Sequence, residues 1–134
     1  MQVRCDLHIH SCLSPCGDLE MSPKQIALEA KKKGLDVIAL TDHNSALNSM
    51  AFRSACNSVG IFAIYGVEIT SSEEVHVLAL FKNPESAIKI GEKVYKSLVS
   101  IKNDPEKWGD QVYLDDDENI LGEVEKYLTG GGSI

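Results

Sequence analysis

An α/β fold, with strands of parallel type and helices packed outside them, follows from three features of the sequence. Apolar runs such as Asp36-Val37-Ile38-Ala39-Leu40 are continuous rather than alternating, as in strands buried on both faces. Capped segments of helical spacing separate these runs. The runs end in polar residues able to do chemistry. The 134 residues are enough for a single domain with its own core, and 43% hydrophobic with 25% charged residues is ordinary globular usage.

Val3 to His8 reads as the first strand, leading into a polar loop, Ser11 to Glu20, in which Pro15 and Gly17 mark turns. A helix then opens at Ser22-Pro23-Lys24-Gln25: Ser22 is the N-cap, Pro23 suits the first helical position and Gln25 completes a capping box. Gly34 stops it after Lys31-Lys32-Lys33, a solvated helix end whose cations oppose the helix dipole. Asp36 to Leu40 is the second strand and ends at Thr41-Asp42-His43. A second helix runs from about Ala46 to Ser58 and is closed by Gly60. Ile61 to Val67 leads to Glu68, and Val75 to Phe81 makes a fourth strand, giving the order β-α-β-α-β-β.

Asn83-Pro84 starts an amphipathic helix with Ala87, Gly91, Val94, Tyr95, Leu98 and Ile101 on one face. Gln111 to Leu114 and Asn119 to Leu121 flank Asp115-Asp116-Asp117-Glu118, a small hairpin near residues 111–121 whose acidic tip reads as a solvated turn. The Gly-rich end, Thr129 to Ile134, is flexible in composition.

A net charge of −7 disfavours a nucleic-acid partner, because the chain as a whole repels a phosphate backbone. No apolar run approaches the roughly 18 to 20 residues that cross a bilayer, and the start, Met1 to Asp6, is too polar for a secretory signal. The chain therefore reads as cytoplasmic and its four cysteines as reduced thiols. Cys12 and Cys16 form a C-x3-C pair beside a histidine cluster, but no second pair completes a closed four-ligand zinc site, and a ligand role for them stays a minor alternative.

The chemistry concentrates in the histidines. Side chains two apart on a strand point the same way, so His8 and His10 can face one metal while Leu7 and Ile9 pack behind them. Asp42 and His43 follow a buried strand directly, at the edge where α/β sheets place active sites. Glu68 ends the third apolar strand, where a buried carboxylate needs cations. His76, between Val75 and Val77, points away from them toward the same pocket. Imidazole and carboxylate donors suit zinc, manganese or iron, and Asp6 and Asp42 fit as acceptors that orient ligand imidazoles.

Asp6-Leu7-His8-Ile9-His10-Ser11, Thr41-Asp42-His43, Gly66-Val67-Glu68-Ile69-Thr70 and His76-Val77-Leu78 resemble, in order and spacing, the first motifs of the PHP (polymerase and histidinol phosphatase) family. The resemblance covers about residues 3 to 81, with a helix and hairpin extension over 84 to 128. It implies the N-terminal portion of a distorted barrel of seven β/α units, four of whose parallel-type strands are present, with two or three metal ions at the strand C-termini. It also implies that His8 and His10 hold a first metal with Glu68, that Glu68 bridges to a second held by His76, and that Asp18 and His43 hold the third.

The loop before Asp18 is longer than the family's usual one, and the family's later histidine and Asp-x-His pair have no counterpart after His76. The resulting expectation is a single, incomplete PHP domain. It would hydrolyse a small phosphate ester, such as a nucleotide or a sugar or amino-alcohol phosphate, through metal-activated water, with activity impaired by the absent ligands. The alternative is a non-catalytic metal-binding or regulatory module. An open sheet edge is expected to be covered by self-association.

Overall fold

The computed structural model describes residues 1–132, so Ser133 and Ile134 of the Gly-rich end lie outside the described residues. The first unit is β1 (Cys5–Ile9), a loop, and α1 (Pro23–Lys32). α1 forms where its caps dictate: Ser22 Oγ accepts from the Gln25 N–H at 3.2 Å, Pro23 opens the first turn, and Lys31 and Lys32 face the negative end of the dipole. Ile26, Ala27 and Ala30 recur at helical spacing and form its buried stripe.

β2 (Val37–His43), α2 (Ser49–Val59) and β3 (Phe62–Thr70) follow. α2 begins at Ser49 rather than Ala46 because Ala46 to Asn48 form a turn closed by the Ser49 N–H on the Ala46 carbonyl at 3.0 Å. Gly60 ends α2 in the left-handed conformation, φ 73°, as expected of a glycine at that place.

The sheet order is β1-β2-β3-β4, with the first three strands parallel. β4 (His76–Phe81) pairs antiparallel to β3, which corrects the expectation of four parallel-type strands. The connection is too short for anything else: Ser71 to Val75 is a tight turn, with the Ser71 N–H on the Val75 carbonyl and Glu74 at φ 63°. A parallel crossover needs roughly a dozen residues or more.

The helices cover one face of this curled sheet. Ile38 and Leu40 of β2 and Tyr65 and Val67 of β3 pack there against Ile26, Phe52, Cys56 and Ala87, the last from α3 (Pro84–Ser97). Phe52 is fully buried and meets Tyr65 edge-on, ring centroids 6.1 Å apart. β1 carries a register shift between Asp6 and Ile9; Ile9 packs on the core, whereas Leu7, expected beside it, is 37% exposed. The register aligns His43 with Glu68 and Glu68 with Leu78 on the face away from the helices. That face is open at β4, where Leu78 and Leu80 are 38% and 41% exposed.

The C-terminal segment caps the loop after β1. A short α4 (Pro105–Trp108), not anticipated from the sequence, begins after α3 has ended at Ser97, so Leu98, its C-cap, and Ile101 lie beyond the helix whose face they were expected to share. β5 (Val112–Leu114) and β6 (Ile120–Glu123) form the expected hairpin. In its acidic tip the Asp115 carboxylate accepts from the Asp117 N–H and from the backbone and side chain of Asn119, while the Glu118 carboxylate accepts from the Ser22 hydroxyl at the start of α1. Val112 and Leu114 bury Cys12, while Val124 and Leu128 enclose Leu13 together with Leu98.

Candidate metal centre

The parallel strands place His8 and His10 at the end of β1, His43 at the end of β2, and Glu68 near the end of β3. Because β4 runs antiparallel, its first residue, His76, reaches the same edge, opposite Thr70. The four histidines of the chain close around one carboxylate. Glu68 Oε1 lies 2.6 Å from His8 Nε2, and Glu68 Oε2 lies 2.8 Å from His43 Nδ1, 3.5 Å from His76 Nδ1 and 3.8 Å from His10 Nε2. The His10 and His43 rings stack with centroids 4.4 Å apart.

Burial and charge act in opposite senses here. Burial alone would raise the Glu68 carboxyl, but His43, His10 and His8 around it bring it below its ordinary range, so it stays ionised. Burial, reinforced by the neighbouring His10, lowers His43 from 6.5 to about 4, and the ring is neutral at pH 7. The buried Nδ1 of His43 has no hydrogen-bond partner, because its 2.8 Å approach to Glu68 lacks the alignment of an N–H···O bond. A neutral imidazole nitrogen facing an ionised carboxylate calls for a cation between them. The donor set also fits one, since His8, His10 and Glu68 form one group with donor atoms within 4.8 Å of one another, and His43, Glu68 and His76 form another.

A second layer of polar residues holds the rings. Asp42, fully buried, accepts from the Ser11 N–H at 2.6 Å, from the Ser11 hydroxyl at 2.7 Å and from the Ser14 hydroxyl at 2.8 Å. Burial raises its carboxyl, and these hydrogen bonds oppose that rise. Ser14 Oγ accepts from the His43 N–H at 3.0 Å and lies 3.5 Å from His10 Nδ1. Its one proton goes to Asp42, so the His10 contact requires a ring N–H at Nδ1, which leaves Nε2 facing Glu68. Asp42 thus acts on the imidazoles through Ser14 rather than directly. Asn48 extends the network, donating to Ser11 Oγ at 2.9 Å and accepting from the Leu114 N–H at 2.8 Å.

The structure brings His8, His10, His43, Glu68 and His76 together and leaves Asp18 outside the group. Asp18 is exposed, its carboxylate accepts from the Glu20 N–H at 2.9 Å, and it belongs to none of the groups of close donor atoms among the described residues. Asp6 likewise accepts from the backbone of His8, at 3.1 Å, and not from a ring. The C-x3-C pair splits. Cys12 is 1% exposed, its thiol is directed at the Val112 carbonyl, and burial pushes it up to about 11. Cys16 Sγ instead lies within 4.8 Å of donor atoms of His10 and His43. The polar residues that sequence reasoning missed are Ser11, Ser14, Asn44 and Asn48, all buried directly beside the motifs.

The PHP domain family model matches residues 6–128. An uncharacterised protein of Methanocaldococcus jannaschii is 32% identical over 91 residues, which are 62% of this chain and 53% of that protein. A 5'-3' exoribonuclease of Haemophilus influenzae is 27% identical over an alignment that takes in 100% of this chain and 53% of that protein. The chain thus spans about half the length of these curated relatives. Among solved structures, a candidate metal-dependent phosphoesterase from Bifidobacterium adolescentis matches 71% of this chain and 34% of its own, with TM-score 0.53 and 23% identity, and so shares the fold.

Proposed function

The chain belongs to the PHP domain family, and from that premise we propose that it binds two or three divalent metal ions and serves in hydrolysis of a phosphate ester. One observation carries the reading: all four histidines lie within 3.8 Å of the buried Glu68 carboxylate, at the C-terminal edge of a curled α/β sheet. His8, His10 and Glu68 would hold one ion, and Glu68 would bridge to another held with His43 and His76. Bound there, divalent cations supply positive charge that polarises a phosphoryl oxygen and acidifies water. The protein's part is to orient. Ser14 fixes the His10 tautomer, Asp42 holds Ser14, and burial keeps His43 neutral and ready to ligate.

Small esters, such as nucleotides and sugar or amino-alcohol phosphates, suit an acidic chain better than a long polyanion does. The exoribonuclease relative makes a short oligoribonucleotide the necessary comparison. The test is to strip the protein with chelator, reload it with zinc, manganese or iron(II), count metal per chain, and follow phosphate release from a mononucleotide, a 3',5'-bisphosphate, histidinol phosphate and the oligoribonucleotide. Bound metal with turnover on an ester, both lost in His10→Ala, is the expected result. Stoichiometric metal without turnover would support the non-catalytic binding module instead, and failure to bind any of the three metals would refute both.

A further inference from the structure

We propose that Cys16 is a metal ligand, its thiolate joining His10 and His43 on the flank of the centre where the family resemblance led us to expect the Asp18 carboxylate. This assignment rests on the metal-centre reading above and deepens it: it makes the donor set partly sulfur and, since one imidazole nitrogen holds one ion, it takes His10 and His43 from the two groups around Glu68 into the ion shared with Cys16, leaving His8 and His76 with Glu68 for the others.

The first support is placement. Cys16 Sγ and one ring nitrogen each of His10 and His43 lie within 4.8 Å of one another. Tetrahedral zinc with two nitrogens and one sulfur has donors about 3.4 to 3.6 Å apart. The group therefore needs only a small contraction to enclose an ion. Cys16 and Asp18 are both exposed, but the Asp18 carboxylate is engaged by the Glu20 N–H and belongs to no such group among the described residues.

The second support is that the loop is built to hold this position. The Ser14 N–H on the Ser11 carbonyl and the Gly17 N–H on the Ser14 carbonyl make two successive turns, and the Cys12 N–H on the Met21 carbonyl closes the loop. At Gly17 the chain folds back tightly on itself, leaving no room for a Cβ beside the Ser11 carbonyl oxygen. Ser14 pins the turn to Asp42, and Cys12 anchors it in the core beside Val112. Cys16 is therefore held near His10 and His43 by the loop whose Ser14 meets the His10 ring and the His43 backbone.

Independently of the cysteine, His43 asks for a ligand. It is 8% exposed, and its buried Nδ1, although 2.8 Å from Glu68 Oε2, makes no aligned hydrogen bond. On binding, the thiol proton passes to solvent and the sulfur coordinates as thiolate. A soft donor of this kind favours zinc, cobalt or iron(II) over manganese or magnesium.

Cobalt(II) is the probe that reads this directly, because thiolate ligation gives an intense sulfur-to-cobalt charge-transfer band in the near ultraviolet that nitrogen and oxygen donors do not. The full chain, loaded with cobalt, is expected to show the band. Cys16→Ala should abolish it while far-ultraviolet circular dichroism stays native and cobalt falls by about one ion per chain. Cys5→Ala and Asp18→Asn, both at exposed positions, should keep it. Cys16→Asp should restore the lost ion without the band and move metal preference from zinc toward manganese. Cobalt bound by the unmodified chain with no charge-transfer band, or a band that survives Cys16→Ala, would overturn the Cys16 assignment alone. No cobalt bound at all would overturn the metal-centre reading with it.

Discussion

Deleting the Ser14 hydroxyl tests whether the buried polar layer holds the centre. This hydroxyl donates to Asp42 at 2.8 Å and accepts from the His43 N–H at 3.0 Å, and Ser14 is 0% exposed. In Ser14→Ala a buried carboxylate loses a charge-assisted hydrogen bond, a loss of about 1.5 to 3 kcal/mol, and a buried N–H loses its acceptor, about 1 to 3 kcal/mol. The two losses share one oxygen and do not add in full, so about 3 kcal/mol is expected. In a chain of this size that lowers the thermal midpoint by roughly 10 °C. Urea denaturation of the metal-free Ser14→Ala and Ser14→Thr proteins measures it, with the threonine variant retaining more of the stability. Zinc titration gives a second readout, in which loss of the orienting contact to His10 should weaken affinity about 10- to 100-fold. A stability change below about 1 kcal/mol would refute the hydrogen-bond argument, and unchanged zinc affinity would refute the orienting role.

Two further outcomes follow from conformation and charge. Gly60 sits at φ 73° with open space where a Cβ would go, so Gly60→Ala meets backbone strain alone and should destabilise by about 1 to 2 kcal/mol in denaturant melts; a neutral result would contradict the left-handed cap. In the metal-free protein His43 titrates at about 4 against 6.5 for the ordinary group, so the unfolded chain binds more protons between those values. Stability is then fully present above pH 6.5 and declines as pH falls toward 4, by up to about 3 kcal/mol. Urea midpoints across that range should show the slope in the parent chain and lose it in His43→Gln; equal slopes would refute the assignment.

What was legible in the sequence depended on local rules. Ser22 and Pro23 mark the start of α1 to the residue because a helix start is decided within a few positions, whereas its end falls at Lys32, with Lys33 as C-cap, inside the lysine run. His8 and His10 both reach Glu68 as strand alternation suggests, although the register shift in β1 leaves Leu7 exposed where simple alternation would place it beside Ile9. The antiparallel β4 was equally local, since five residues from Ser71 to Val75 are too few for a crossover, and attention to that length would have given its direction. The polar network was not legible. Ser11 and Asp42 are 31 residues apart in sequence, and Asn48 reaches Leu114 across 66. Asn48 precedes α2 and resembles an ordinary N-cap, yet its side chain makes no cap and is used for those distant bonds instead. That Cys16 and not Asp18 lies close to His10 and His43 depends on how the loop folds at Gly17, which composition does not convey.

The cluster around Glu68 admits two electrostatic solutions, protons on the histidines or cations among them. Protonation would make His–Glu ion pairs of the four short contacts, and an exposed ring can accept that. His43 cannot do so cheaply, because its side chain is 11% exposed, burial and its neighbours hold it neutral, and its Nδ1 is not aligned to donate to the oxygen 2.8 Å away. Glu68, with a side chain 7% exposed, still needs positive charge on that side, since an ionised carboxylate that deep is costly without it. A hydrogen-bonded structural core would have paired these two groups with each other. The observed arrangement, with Asp42 and Ser14 committed to holding the His43 backbone and the neighbouring His10 ring while His43 Nδ1 and Glu68 Oε2 are left facing, is what a chain needs when the missing charge is an ion rather than a proton.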